Sequence, residues 1–242
     1  MRKKNLKLTL RIAAVFLIIV LLNVTVTTRQ GVNFKVYTIK LPLYLKVLDF
    51  FDRHYNYRAL VKRIVDKAKT EEEKVSRIFA WTYRHIKPQP ENLPVMDDHV
   101  WNIIIRGYGA DDQSSDVFTT LCNYAGIDAF YNLVFTQDRN FCIPLSFVKM
   151  GKIWVTFDTY NGVYFQNRQG NMAGIEEIIK GDWAENHIDM SVEGNSFTGK
   201  KSGVNYAVYL KNLSPITAIG LKRANIQSPL KRLQYEIKKW MR

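Results

Sequence analysis

Arg106-Gly107-Tyr108-Gly109-Ala110-Asp111-Asp112-Gln113 decides how this chain folds. Two glycines around one residue make a tight turn, and the residues after it have helical spacing: Val117, Leu121 and Tyr124 share a face, and Gly126 closes a helix over about 112–124. Strands are expected next, at roughly 127–136, 143–150 and 152–158, the last two joined by a turn at Gly151-Lys152. Upstream, Thr70 and Glu73 make a capping box for a helix whose inner face is Val75, Ile78, Phe79 and Thr82. Pro88, Pro90 and Pro94 end it, and a short helix around 98–105 leads into the glycine turn. Residues 43–54 and 58–69 also read as helices, 173–180 as helix and 204–210 as strand. N-terminal helices and a central helix packed on an antiparallel sheet make the expected class α+β.

Charge is placed unevenly. The net charge is +13 over 242 residues. Five cations without an acid in residues 1–11, and eight against Glu236 alone in 211–242, leave only about one net positive charge between them. A nearly neutral middle argues against a nucleic-acid groove, which would concentrate charge on the folded face. Basic ends suit a chain lying near an anionic membrane. Cys122 and Cys142 are too few for a disulfide framework, and His54, His85, His99 and His187 form no pair at ligand spacing. No metal or cofactor is expected.

Ile12 to Leu22 is wholly apolar, and with Leu8–Leu10 and Val24–Val26 it approaches the ~20 residues that span a bilayer. The exit, Asn23-Val24-Thr25-Val26, offers no small-residue cleavage site, so an uncleaved anchor is favoured over a signal peptide. The charges from Arg2 to Arg11 put the N-terminus in the cytoplasm and the rest outside, a single pass through the cytoplasmic membrane at residues 12–26. The expected layout is a basic tail and anchor over 1–26, an extended linker over 27–41, a domain over 42–210 and a basic helical extension over 211–242. In that extension Leu230, Leu233, Ile237, Trp240 and Met241 recur at three- and four-residue steps among lysines. The stripe is expected to pack on the domain over 229–237, with 238–242 left for a membrane surface.

The order of the glycine turn, the helix ending Ala125-Gly126-Ile127-Asp128-Ala129, the strand ending Ser146-Phe147-Val148-Lys149-Met150, and Gly151-Lys152-Ile153-Trp154-Val155-Thr156-Phe157-Asp158 resembles the core of the transglutaminase-like superfamily. The resemblance covers roughly residues 70–165. It implies a fold related to papain-type cysteine proteases, with a cysteine at the helix start, a histidine on one strand and an aspartate ending the next. A helix N-terminus stabilises a thiolate, the histidine takes its proton and the aspartate orients the histidine. Carried onto this chain, the aspartate is Asp158, the cysteine position is Asp111, and residues 141–146 supply no histidine.

The resemblance therefore implies a domain that has lost its cysteine and histidine, more a pseudoenzyme than an enzyme. Asp111 has two readings, as an N-cap of its helix or as part of a remodelled cleft with Asp112 and Asp158. The candidate cleft is His99, Trp101, Tyr108, Asp111, Asp112, Gln113, Trp154 and Asp158. The expected function is an extracytoplasmic binding or assembly module for a protein or glycan, in cell-envelope or polysaccharide processes. The alternative is a hydrolase of altered chemistry using Asp111 and Asp158.

Overall fold

The computed structural model describes residues 2–97, 99–188, 203–215 and 228–241; of residues 2–6 only the backbone is described. Residues 216–227 and Arg242 of the expected C-terminal extension lie outside the described residues, as does Asp98 at the start of the expected short helix. The chain divides into two compact units, residues 1–55 with 94–98, and residues 56–93 with 99–242.

The first unit holds helix α1 (Arg2–Leu22), strands β1 (Thr25–Val32) and β2 (Lys35–Pro42), the first part of α2 (Leu43–Ile64), and β4 (Met96–Asp97). In α1 the apolar side chains are exposed on every side, Ile12 at 62% and Phe16 at 67%. Among the described residues no helix is long and apolar enough to cross a membrane. The helix expected over 12–26 is corrected at its end, to Leu22. The uninterrupted apolar run Ile12–Leu22 is only about 16 Å of helix, against a hydrocarbon core of about 30 Å. The helix then stops at Leu22, and Thr25 already belongs to β1.

The stretch read as a linker is extended, but it pairs with itself. β1 and β2 form an antiparallel hairpin from Thr25↔Pro42 to Val32↔Lys35, and β1 also pairs with β4 through Gly31↔Asp97. The turn puts both Asn33 and Phe34 at positive φ, 49° and 65°. That is type I′ geometry, usually signalled by Asn-Gly; with Phe34 in the second place the signal is hidden. The two helices expected over 43–54 and 58–69 are one, α2, because Asn56 weakens a helix without breaking it.

The second unit contains the end of α2, α3 (Glu71–His85), β3 (Lys87–Pro88), α4 (Val100–Arg106), β5 (Tyr108–Gly109), α5 (Asp111–Tyr124), β6 (Ala129–Phe135), β7 (Cys142–Met150), β8 (Ile153–Asp158), β9 (Val163–Gln166), α6 (Ile175–Ile179), β10 (Ala184–His187), α7 (Ala207–Leu210) and α8 (Pro229–Trp240). An antiparallel sheet runs in the order β10-β9-β8-β7-β6. α3 is capped as its sequence demands: Thr70 Oγ1 accepts from Glu73 N at 3.1 Å, and the Glu73 carboxylate accepts from Lys69 N.

Each sheet face has its own core, because side chains alternate along each strand. On one face Val148, Val155 and Phe157 meet the inner faces of α3, α4 and α5. There the rings of Phe79, Phe118 and Phe157 form a triangle with centroids 5.1–5.5 Å apart. On the other face Leu145, Phe147, Val163 and Phe165 are covered by Ile175, Ile178, Tyr206 and Leu210. Within residues 204–210, expected as a strand, Ala207–Leu210 make the helical turn α7. Tyr206 and Leu210 are four apart and both buried, a spacing that suits one helix face as well as one strand face, and in so short a segment packing decides.

Candidate functional site

The glycine turn is built around one side chain. Gln113 Oε1 accepts from Arg106 Nη2 at 2.8 Å and from Ala110 N at 3.2 Å, while Arg106 Nε donates to Tyr108 O at 3.0 Å. Gly107 ends α4 with φ 74°. A Cβ on Gly109 would lie 2.9 Å from Gln113 Oε1 and 3.1 Å from Gln113 Cβ, so the turn closes only with glycine there. Arg106 also sits over the Tyr108 ring, 5.7 Å from its centroid.

This turn delivers Asp111 to the head of α5. The N-cap is Ala110, not Asp111, which corrects the capping reading. Asp111 is the first helical residue, exposed, with Oδ1 accepting from Asp112 N at 2.8 Å. Its carboxylate favours the helix through the macrodipole rather than by satisfying the free amides of N2 and N3.

Asp158, the last residue of β8, is 3% exposed. Its Oδ1 accepts from Asn161 N at 3.0 Å, and its Oδ2 accepts from Asn161 Nδ2 and Tyr206 Oη, both at 2.8 Å. Burial pushes its pKa up; the Asn161 and Tyr206 hydrogen bonds work against that rise, and the charge of Asp111 adds to it. The same charge, after burial, raises the Cys142 thiol and the Tyr160 phenol. Asp111, Cys142, Asp158 and Tyr160 are therefore gathered within electrostatic reach of one another. Behind them Ser146 Oγ and Thr159 Oγ1 share a buried hydrogen bond at 3.3 Å.

Neither cysteine is poised as a thiolate. Cys122 is fully buried in α5 and its pKa is driven far up by desolvation, while Cys142, exposed at the start of β7, is raised by partial desolvation and the Asp111 charge. β7 places Ser146 opposite Phe157, one residue before Asp158, and the buried Pro144 and Leu145 precede it. The sheet puts His187 two strands from Asp158, both registered to Val163, with His187 Nε2 3.8 Å from Glu185.

The other candidates are scattered. Gln113 and Tyr108 belong to the turn, and half-buried Asp112 lies in the first turn of α5. His99 heads α4 as its N-cap residue without a side-chain cap bond. Trp101 packs edge-on against Tyr57 at 5.2 Å. Trp154 packs against Phe130 at 5.3 Å, at the far end of β8 from Asp158, about 13 Å along the strand. A hollow of about 360 Å³ lies along β6, between Asn132, Arg139 and Asn212, and one of about 590 Å³ by Glu72 and Asn171; neither includes Asp111 or Asp158.

Sequence reasoning did not find Tyr160, Asn161 or Tyr206. Asp158-Thr159-Tyr160-Asn161-Gly162 carries a turn signature that marks Asn161 as a local partner. Tyr206, 48 residues from Asp158, has no such signal.

A family profile described as the transglutaminase-like superfamily matches residues 58–169. That segment is a transglutaminase-like domain. Its architecture is the mixed α+β one, helices on an antiparallel sheet. Solved structures similar to the chain include a candidate cysteine protease from Cytophaga hutchinsonii, at 15% identity over 55% of this chain and 47% of that one, with a TM-score of 0.40. A candidate protease from Parabacteroides distasonis is 12% identical over 55% and 35%, TM-score 0.36. A protein described as a TGase is 14% identical over 55% and 43%, TM-score 0.35. The chain thus spans less than half the length of each. No curated protein matches it.

Proposed function

We propose that this chain is a membrane-tethered, non-catalytic transglutaminase-like protein. Its domain binds or assembles with a protein or glycan outside the cytoplasmic membrane, in cell-envelope or polysaccharide processes. The observation that carries the non-catalytic reading is the environment of Asp158. Its carboxylate is taken up by Asn161 and Tyr206 in a buried site, while the helix head facing that site presents the carboxylate of Asp111. A carboxylate there is a weak nucleophile, and it disfavours a thiolate at Cys142. The chain should therefore turn over neither amide-transfer nor peptide substrates. Turnover that thiol reagents abolish, and that Cys142→Ala removes, defeats the proposal.

The tether rests on α1, whose apolar side chains from Leu8 to Leu21 are exposed. Lys7 and Arg11 would snorkel towards headgroups, and so short an apolar helix would thin the bilayer around it. A reporter fused after Arg242 should be active only outside the cytoplasm.

A second reading, a hydrolase using Asp111 and Asp158, is favoured by one observation. Burial and the Asp111 charge both raise the proton affinity of Asp158, and an acid–base pair needs unequal carboxyls. Hydrolysis of a cell-envelope glycan, lost in both Asp111→Asn and Asp158→Asn, would select it over the binding module.

A further inference from the structure

α8 is mounted with its greasy side out. Its first turn is anchored: Ser228 is buried, and Lys231 Nζ donates to Asp128 Oδ1. Pro229 and Leu230 are half-covered where the helix begins, and beyond them the half-covered positions are Lys231, Arg232, Tyr235 and Glu236, which lie on one side of the helix. At about 100° per residue, Leu233, Ile237, Trp240 and Met241 fall on the opposite side. These four are 45%, 48%, 92% and 71% exposed. The expectation that the stripe packs on the domain over 229–237 is thus corrected from Leu233 on: Leu230 is half-covered, but beyond it Lys231, Arg232, Tyr235 and Glu236 take the inward side. Burying the apolar side is the ordinary fate of an amphipathic helix, so an outward stripe of this size marks a surface that meets something.

The geometry points to an anionic lipid surface as that partner. Lys238 and Lys239 are exposed and lie beyond the two edges of the stripe, on the polar side of the helix, and over Pro229–Met241 four cations stand against Glu236 alone. Apolar side chains down, exposed lysines on the polar side and a tryptophan at the tip fit a helix lying in the headgroup layer. A second copy of this chain would bring the same excess of positive charge to the seam and be repelled by it. This inference does not depend on α1 and goes beyond the tether, since it assigns a separate lipid contact with its own charge requirement.

The test uses the full chain with vesicles of brominated phosphatidylcholine, with and without phosphatidylserine, and reads quenching of tryptophan fluorescence. Quenching should be several-fold stronger with phosphatidylserine and fall in high salt. Trp240→Phe should remove most of it, and Leu233→Ser/Ile237→Ser should weaken it at an unchanged melting temperature. Quenching that survives Trp240→Phe, or that ignores phosphatidylserine, overturns the inference. So does a lipid-free dimer in sedimentation that Leu233→Ser/Ile237→Ser dissociates, which would make the stripe a seam between copies. If only the tether reading fails, the chain leaves plain phosphatidylcholine vesicles yet still binds the anionic ones. If only this inference fails, the chain stays with both and Trp240 is unquenched.

Discussion

The hydroxyl of Tyr206 donates to Oδ2 of Asp158 at 2.8 Å, tying a residue 48 positions downstream of β8 to the carboxylate that ends it. Tyr206 lies beyond the family match at 58–169, yet it closes over the buried carboxylate of the candidate site. It also packs edge-on against Phe165 at 5.2 Å, so one side chain joins the second core to the site.

Tyr206→Phe keeps that ring contact and removes only the hydroxyl. Losing a hydrogen bond to a buried ionisable group should lower stability by about 1–3 kcal/mol. The hydroxyl holds the Asp158 pKa down, so the variant should raise it further. Chemical denaturation and carboxyl-carbon NMR titration read the two effects; a variant as stable as the parent refutes the role given to Tyr206.

Asp158 should leave a signature in the pH dependence of stability. Its folded pKa lies above its unfolded value because of burial, so the folded state binds its proton more tightly. Its contribution is complete below the unfolded pKa and is lost as pH rises through the folded one. The stability difference between parent and Asp158→Asn should therefore shift against the parent as pH rises through that window. A difference independent of pH means Asp158 is not strained by burial.

Asp111→Ala separates charge from capping. As a first-turn carboxylate rather than a cap, Asp111 should contribute about 0.3–1 kcal/mol through the helix dipole. Because its charge raises both Asp158 and Tyr160, the variant should lower both pKa values. Unmoved titrations would separate Asp111 from the site altogether.

Gly109→Ala tests the turn. The new methyl would meet Gln113 Oε1 at 2.9 Å and Ile103 Cγ2 at 3.3 Å, so α4 and α5 must part or Gln113 must leave Arg106 and Ala110. Overpacking of this kind costs about 1–3 kcal/mol. A melting temperature within error of the parent would show that the turn has slack.

Much of the domain was legible because its signals are local. Thr70 and Glu73 cap α3 as their spacing requires, and Gly107, Gly126 and Gly151 all adopt the positive φ that their turn positions demand. β7 and β8 lie within two residues of where alternation put them. The site was legible in half: Asp111 and Asp158 come within reach of each other, whereas Trp101 and Trp154, chosen as cleft aromatics, serve the two cores. An aromatic residue carries the same letter whether it lines a cleft or fills a core.

Local residue patterns were enough to give the α+β order, the glycine turn heading α5 and the concentration of charge at the two ends. Those properties depend on residues within a turn or two of each other, where backbone geometry and side-chain type act directly. Three-dimensional packing was needed to show that β1 and β2 pair, that Tyr206 closes over Asp158, and that α8 turns its apolar stripe outward from Leu233 on. Each depends on contacts between distant residues, Lys231 with Asp128 across 103 positions in the last case. A helix has the same periodicity whichever face it buries, and which face wins is set by the surface it lands on.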